Sequence, residues 1–357
     1  MFKLKTRTIW LMLPIIILLA FLDYQVLTGR TVQTIAGWQN KLVATKVLPS
    51  ELPKSISTVI FGGDVMLSRV VGQQMAKQQD YTWPFKKIAA SLAEADLTVV
   101  NLESPLAKTG PYLVKTGSFA FKADPLAVVG LKTAGIDVVS LANNHALNAG
   151  LDNLLFTKEF LQQQGIKALG AGVNKQQASL PVIIKVNDLV LGFLAYTYNS
   201  EPYLAELSSK TMAKEVEQLK KQVDQVVVIM HAGEEYSAQP TLEQQKFADR
   251  AIAAGAALVV GHHAHWPQKI KVVLDENGQT KGLIIYGLGN LVFDQMWSRE
   301  TQRGVLAKIS WQGQTLKSLE IIPVRILNYG QANLATSTMD IDWVLQSLGI
   351  SKTKLEF

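Results

Sequence analysis

From Ser57 onward, short β-branched and aliphatic runs alternate with stretches in which apolar residues recur at helical spacing. The runs Thr58–Phe61, Leu97–Asn101, Val138–Leu141, Val226–Met230 and Leu258–Val260 predict strands. Between them, Lys86–Glu94, Leu126–Ala134, Leu151–Gln164, Lys210–Gln222 and Leu242–Ala254 predict helices. That alternation argues for βαβ units and an α/β fold. After Gly261 the helical spacing is expected to stop. Ile270–Leu274, Gly282–Tyr286, Val305–Trp311 and Leu316–Pro323 then read as a run of antiparallel strands, with Glu276-Asn277-Gly278 as a hairpin turn signal.

The first residues follow another pattern. Lys3, Lys5 and Arg7 precede an apolar run from Ile9 to Leu22, broken only by Pro14. Extended from Thr8 to Leu27, the run reaches the roughly 20 residues that a spanning helix needs. No small-residue cleavage site follows closely, so an uncleaved signal anchor is expected over residues 1–27. Its basic end would stay in the cytoplasm, giving a single-pass membrane protein with an extracytoplasmic body. Residues 28–56 read as a polar linker, 57–325 as the main domain and 326–357 as a C-terminal extension.

Composition narrows the function classes. The 357 residues carry a net charge of +6. Seven basic residues against Asp23 and Glu51 lie in residues 1–58, which leaves 28 basic and 27 acidic residues in the remainder. A near-neutral body lacks the basic face that nucleic-acid binding requires, so no nucleic-acid partner is expected. The absence of cysteine excludes disulfides, thiolate metal sites and cysteine nucleophiles.

The candidate chemistry lies where the strands end. Asp64 follows Ile60–Gly63, Glu103 follows Val99–Leu102, and Asn143-Asn144-His145 follows Val138–Ala142. His231 follows Val227–Met230, and His262-His263-Ala264-His265 follows Val259–Gly261. All five histidines fall at such ends, where α/β sheets bind ligands. Carboxylates, imidazoles and an asparagine carbonyl suit one or two hard-to-borderline divalent ions (Mn, Fe, Zn or Mg). A pair of ions about 3.5–4 Å apart would clamp both oxygens of an in-line displacement. Taken singly, Gly62-Gly63-Asp64 could be a turn or a helix cap, and His231 a hydrogen-bonded core histidine.

The stretches GGDVMLSR (62–69), NLESPL (101–106), FAFKADP (119–125), LANNHALNAG (141–150), HAGEEY (231–236), GHHAHWPQ (261–268) and YGLGNLVFDQ (286–295) resemble the CapA family of poly-gamma-glutamate capsule synthesis proteins. That family lies within the calcineurin-like metallophosphoesterase superfamily, so the resemblance implies a four-layer α/β/β/α sandwich. It implies Asp64 as ligand of a first metal, Glu103 as bridging carboxylate, Asn144, His231 and His263 as ligands of a second, and His265 returning to the first. His145 resembles the imidazole that polarises the phosphate or protonates the leaving group. Arg69 and Glu235 match positions near the site, with substrate or supporting roles, or else a surface ion pair between them. The chain departs from the superfamily at Asp64-Val65-Met66, where an Asp-x-His opening is usual, and at Glu103, where Asp is usual. It also has Asn148 and Ala232 where relatives often carry Asp and Trp.

Two functions follow from this reading. One is a metal-dependent, phosphoesterase-like hydrolase acting in capsule or envelope polymer metabolism. The other is a non-catalytic subunit that uses the metal site to hold an anionic polymer during export, alongside other capsule-synthesis membrane proteins.

Overall fold

The computed structural model describes residues 55–112 and 119–357. The expected anchor and most of the linker lie outside those residues. Among the described residues, no helix is long and apolar enough to cross a membrane.

Among the described residues, fifteen strands form two mixed sheets. In chain order they are β1 (Ile56–Val65), β2 (Leu97–Leu102), β3 (Val138–Ser140), β4 (Lys167–Leu169), β5 (Val182–Val186), β6 (Leu189–Thr197), β7 (Gln225–His231) and β8 (Leu258–His262). There follow β9 (Pro267–Leu274), β10 (Thr280–Leu288), β11 (Asn290–Val292), β12 (Arg303–Gln312), β13 (Thr315–Leu327), β14 (Gln331–Leu334) and β15 (Lys354–Glu356). The first sheet runs β14-β13-β12-β1-β2-β3-β4, with β11 beside β1 and β15 beside β13; the second runs β5-β6-β7-β8-β10-β9. Strands β1 to β4 pair in parallel, as do β6 to β8. Such strands are covered on both faces, which is why Val226–Ile229 and Val99–Val100 are uninterrupted apolar runs.

Successive side chains of each central strand enter different cores. Phe61, Phe193, Val227, Ile229, Val260, Ile285 and Trp311 meet in a core shared by the two sheets. Ile60, Val100 and Val139 instead pack with Met75, Leu131, Leu154 and Leu161 from helices outside the first sheet. Leu194, Val228 and Val259 pack with Met212, Val216, Phe247 and Ala251 from helices outside the second. The sheets therefore lie face to face between two sets of helices.

Several expectations change. The helix expected at Lys86–Glu94 shortens to Ala89–Leu92, because the preceding residues around Pro84 form turns. The one expected at Leu126–Ala134 opens as a 3-10 turn, Pro125–Ala127, in which Asp124 accepts from the Leu126 amide at 2.9 Å, and continues as the helix Val128–Thr133. Helices do not stop after Gly261: Thr338–Leu348 is helical, burying Val344 and Leu348 in the core between the sheets. The late strands form, but β10 pairs in parallel with β8, and the hairpins β9–β10 and β12–β13 belong to different sheets. Residues beyond 325 complete the first sheet through β14 and β15.

Strand β1 shifts register against β2 between Phe61 and Asp64, at Gly62-Gly63. A bulge of this kind re-aims the next side chain. A Cβ on Gly63 would stand 2.0 Å from the Gly289 carbonyl oxygen. Gly63→Ala is therefore expected to destabilise the protein by about 1–3 kcal/mol or more, as forced overpacking does. A thermal midpoint equal to wild type would show that the backbones part there without cost.

Candidate metal centre

The carboxyl ends of the parallel strands from both sheets bring their polar residues together. Register sets Asp64 opposite Asn101 on β2 and opposite Asn290 on β11. Register likewise sets His231 opposite Thr197 on β6 and His262 on β8. Asp64, Asn101, Glu103, Asn143, His231, His262, His263, His265 and Asn290 are all buried.

Asp64, Glu103 and His265 form one centre, with a ligating atom from each lying within 4.8 Å of the others. The Asn101 amide nitrogen donates to Asp64 Oδ1 at 2.8 Å and to Glu103 Oε2 at 3.2 Å. The His263 amide donates to Asp64 Oδ2 at 3.3 Å. Burial opposes ionisation of Asp64, but hydrogen bonds and charge from His262 and His265 hold its carboxyl well below the usual range. Glu103 goes the other way. Burial first, then the charges of Asp64 and Glu235, push it well above the usual range. Glu103 Oε1 is buried and has no hydrogen-bond partner.

His265 Nδ1 lies 2.9 Å from Asn290 Oδ1, leaving Nε2 toward Glu103 Oε1, 3.8 Å away. Asn290 in turn donates to Gln295 Oε1 and the Thr301 carbonyl, both at 2.9 Å. An imidazole fixed this way through one nitrogen presents the other as a ligand.

Asn144, His231 and His263 lie alongside. Asn144 Oδ1 is 2.9 Å from His231 Nε2, and the His231 and His263 ring centroids are 4.8 Å apart. His231 Nδ1 sits 3.2 Å from the same Asn101 amide nitrogen that serves Asp64 and Glu103, so Asn101 joins the two groups. His263 Nδ1 is buried without a partner. Burial lowers His231 well below the usual imidazole range and lowers His263 to about 4. Both rings are therefore neutral nitrogen donors at ordinary pH.

His145 stands at the border of this cluster. Its Nε2 is 3.9 Å from Glu103 Oε1, and its Nδ1 is 2.8 Å from Asn148 Oδ1, which also accepts from the Phe121 amide at 2.9 Å. Phe121 stacks on the imidazole with centroids 3.9 Å apart. Arg69 does not pair with Glu235 on the surface. It is buried and ion-paired with Asp294, with its guanidinium carbon 4.8 Å from the Phe121 ring centre and 5.5 Å from that of Phe293. Glu235 is half-buried, and its charge raises Tyr236 and Tyr198 as well as Glu103, in each case after burial.

Arg69, Tyr236, His263 and His265 adopt positive φ values of 48°, 62°, 89° and 57°. Each such residue costs about 1–3 kcal/mol, and strain of this kind concentrates at functional sites. The loop carrying Glu235 and Tyr236 is held by Gln268, which donates to the Ser237 carbonyl at 2.9 Å and accepts from Gln244 at 3.0 Å.

Sequence reasoning passed over Asn101, Asn290, Asp294 and Phe121, and it placed His262 at a strand end without a ligand role. His262 Nδ1 lies 3.2 Å from Asp64 Oδ1. A readable signal existed for Asn290, a lone amide inside the apolar stretch Leu288–Phe293 that must find partners once buried.

Residues 58–295 match the family of the bacterial capsule synthesis protein PGA_cap. The chain belongs to this family. Its PGA_cap relatives include the capsule biosynthesis protein CapA of Bacillus anthracis, 28% identical over 82% of this chain and 72% of that protein. The PGA biosynthesis protein CapA of Bacillus subtilis is 27% identical over 81% of this chain and 76% of its own length. Among solved structures, a novel phosphatase from Mycoplasma pneumoniae shares the fold at a TM-score of 0.50 and 15% identity, over 76% of this chain and 94% of that one.

Proposed function

We propose that this PGA_cap protein is a metal-dependent phosphoesterase-like hydrolase of capsule or envelope polymer metabolism, anchored in the cell membrane with its body outside. The observation that carries the reading is Glu103 Oε1, a buried carboxylate oxygen without a partner beside Asp64 and His265. Such an atom costs about 1–3 kcal/mol unless something satisfies it, and a divalent cation would. Asp64, Glu103 and His265 would hold one ion, while Asn144, His231 and His263 offer oxygen and neutral nitrogen to a second. A bound ion would supply a Lewis acid for a phosphoryl oxygen. Asn101 and Asn290 orient the ligating atoms, and His145 holds a nitrogen next to Glu103 for proton transfer to a leaving group.

The purified chain is expected to hydrolyse generic phosphomonoesters in the presence of Mn²⁺ or Zn²⁺ and to lose that turnover with chelator. Retention of anionic polymer without any turnover would instead favour a polymer-handling subunit.

The charges also fix the pH dependence of ion uptake. Glu103 holds a proton above the usual carboxylate range, so the ion must displace it, whereas His231 and His263 are already neutral. Affinity should therefore rise with pH until Glu103 ionises in the ion-free protein. Calorimetry in buffers of different ionisation enthalpy should show proton release on binding, largest on the acid side. Binding with no proton exchange would place the ion elsewhere.

A further inference from the structure

One cation touches the rings that pack on two separate site imidazoles. The Arg69 guanidinium lies over Phe121 and Phe293 at 4.8 and 5.5 Å. Phe121 stacks on His145 at 3.9 Å, with planes 25° apart. Phe293 meets His265 edge-on at 4.8 Å, and the two phenyl rings meet each other at 6.0 Å. Asp294 holds the arrangement in place. Its carboxylate pairs with Arg69 and accepts from the Val70 amide at 3.1 Å, so Arg69 is fixed in the positive-φ backbone that aims it inward.

We infer that the Asp294–Arg69 ion pair is a positioning brace, which sets the planes of His145 through Phe121 and of His265 through Phe293. The physical reason lies in the ring contacts, stacked at Phe121 and edge-on at Phe293. Phe121 touches the guanidinium and stacks on an imidazole, while Phe293 touches the same guanidinium and meets an imidazole edge-on, so neither ring can slide without losing a cation–π contact or a ring contact. Asn148 closes the loop, since the same oxygen that meets His145 Nδ1 accepts the backbone amide of Phe121. Arginine suits this place better than lysine because its flat, weakly hydrated head stacks on aromatic faces while pairing with a carboxylate.

The inference rests on the reading of His145 as a group that acts on substrate, and the test separates the two. With five histidines in the sequence, histidine-selective labelling of the full chain gives few imidazole resonances, which His145→Ala and His265→Ala assign. In wild type, the His145 ring proton is expected upfield, under the Phe121 ring, and Phe121→Leu should remove that shift. Asp294→Asn is expected to move the His145 and His265 resonances while bound metal stays near wild type. Its turnover of phenyl phosphate should fall by about 10–100-fold, the usual loss when a supporting partner goes. Turnover of p-nitrophenyl phosphate, whose leaving group needs no proton, should fall less. Arg69→Lys keeps the charge but not the plane and should shift the same resonances if Asp294→Asn fails to fold. Unmoved His145 and His265 resonances in either folded variant would overturn the brace. Equal loss on both esters would overturn its action through His145. If wild type turned over neither ester, the catalytic reading would fall while the resonances still decided the brace.

Discussion

Alanine at His145 is expected to leave the bound ion in place and to lower phosphomonoester turnover by about 10²–10⁴-fold, the range for a lost acid or base. The geometry separates those two effects. His145 Nδ1 is taken by Asn148, and its Nε2 stands 3.9 Å from Glu103 Oε1, outside the group that Asp64, Glu103 and His265 form. Its neighbour Asn144 points to His231 instead, so one loop sends adjacent side chains to different tasks. Burial lowers the His145 pKa, and with Nδ1 donating to Asn148 the Nε2 of the neutral ring carries a lone pair, which takes up a proton before it can pass one to a leaving group. Turnover, metal content and thermal midpoint measured on one preparation would decide the matter. Loss of metal together with activity would make His145 a ligand, and loss of the fold would make it a packing residue.

Asn in place of Asp64 should have the largest effect on the ion itself. The change keeps shape and removes the charge on which His262, His265, Asn101 and the His263 amide converge. Loss of an outer-shell partner costs about 10–100-fold in affinity, and loss of a direct anionic ligand should exceed that. The new amide would also turn a donor toward Asn101 or the His263 amide, both of which already donate. A thermal midpoint below wild type is expected from that clash alone. Metal content of Asp64→Asn, set beside His262→Ala, measures the difference. Full metal retention in Asp64→Asn would remove this carboxylate from the centre.

The parallel strands were legible because both faces of Val99–Val100 and Val226–Ile229 are covered, so their composition is unmixed. The helix Arg69–Gln78 was not, since only Arg69, Val71 and Met75 are buried and the remaining residues carry little apolar signal. Strand β6 is as apolar as β7, but its Leu189–Thr197 run sits behind a polar turn and could equally have been a buried helix segment. The helix Thr338–Leu348 buries only Val344 and Leu348, too few to mark a face. For the site, charged and imidazole residues at strand ends drew attention by their type. Asn101 and Asn290 did not, because an amide gains its meaning from the register that sets both beside Asp64. Asp294 was hidden for a similar reason. Its partner Arg69, which the sequence assigns a substrate or supporting role or else a surface ion pair, lies 225 positions away.

The two sheets divide the donor atoms by chemical hardness. Those from the first sheet, Asp64, Glu103 and Asn144, are oxygens, whereas those from the second, His231, His263 and His265, are nitrogens. The candidate ligands carried through β4 are thus all oxygens, which suit ions such as Mg²⁺ or Ca²⁺. The candidate-ligand imidazoles that would favour a borderline ion come from the second sheet, whose His263 backbone amide reaches Asp64 across 199 positions. Any metal preference would then be a property of the closed seam between the sheets and belong to neither sheet alone.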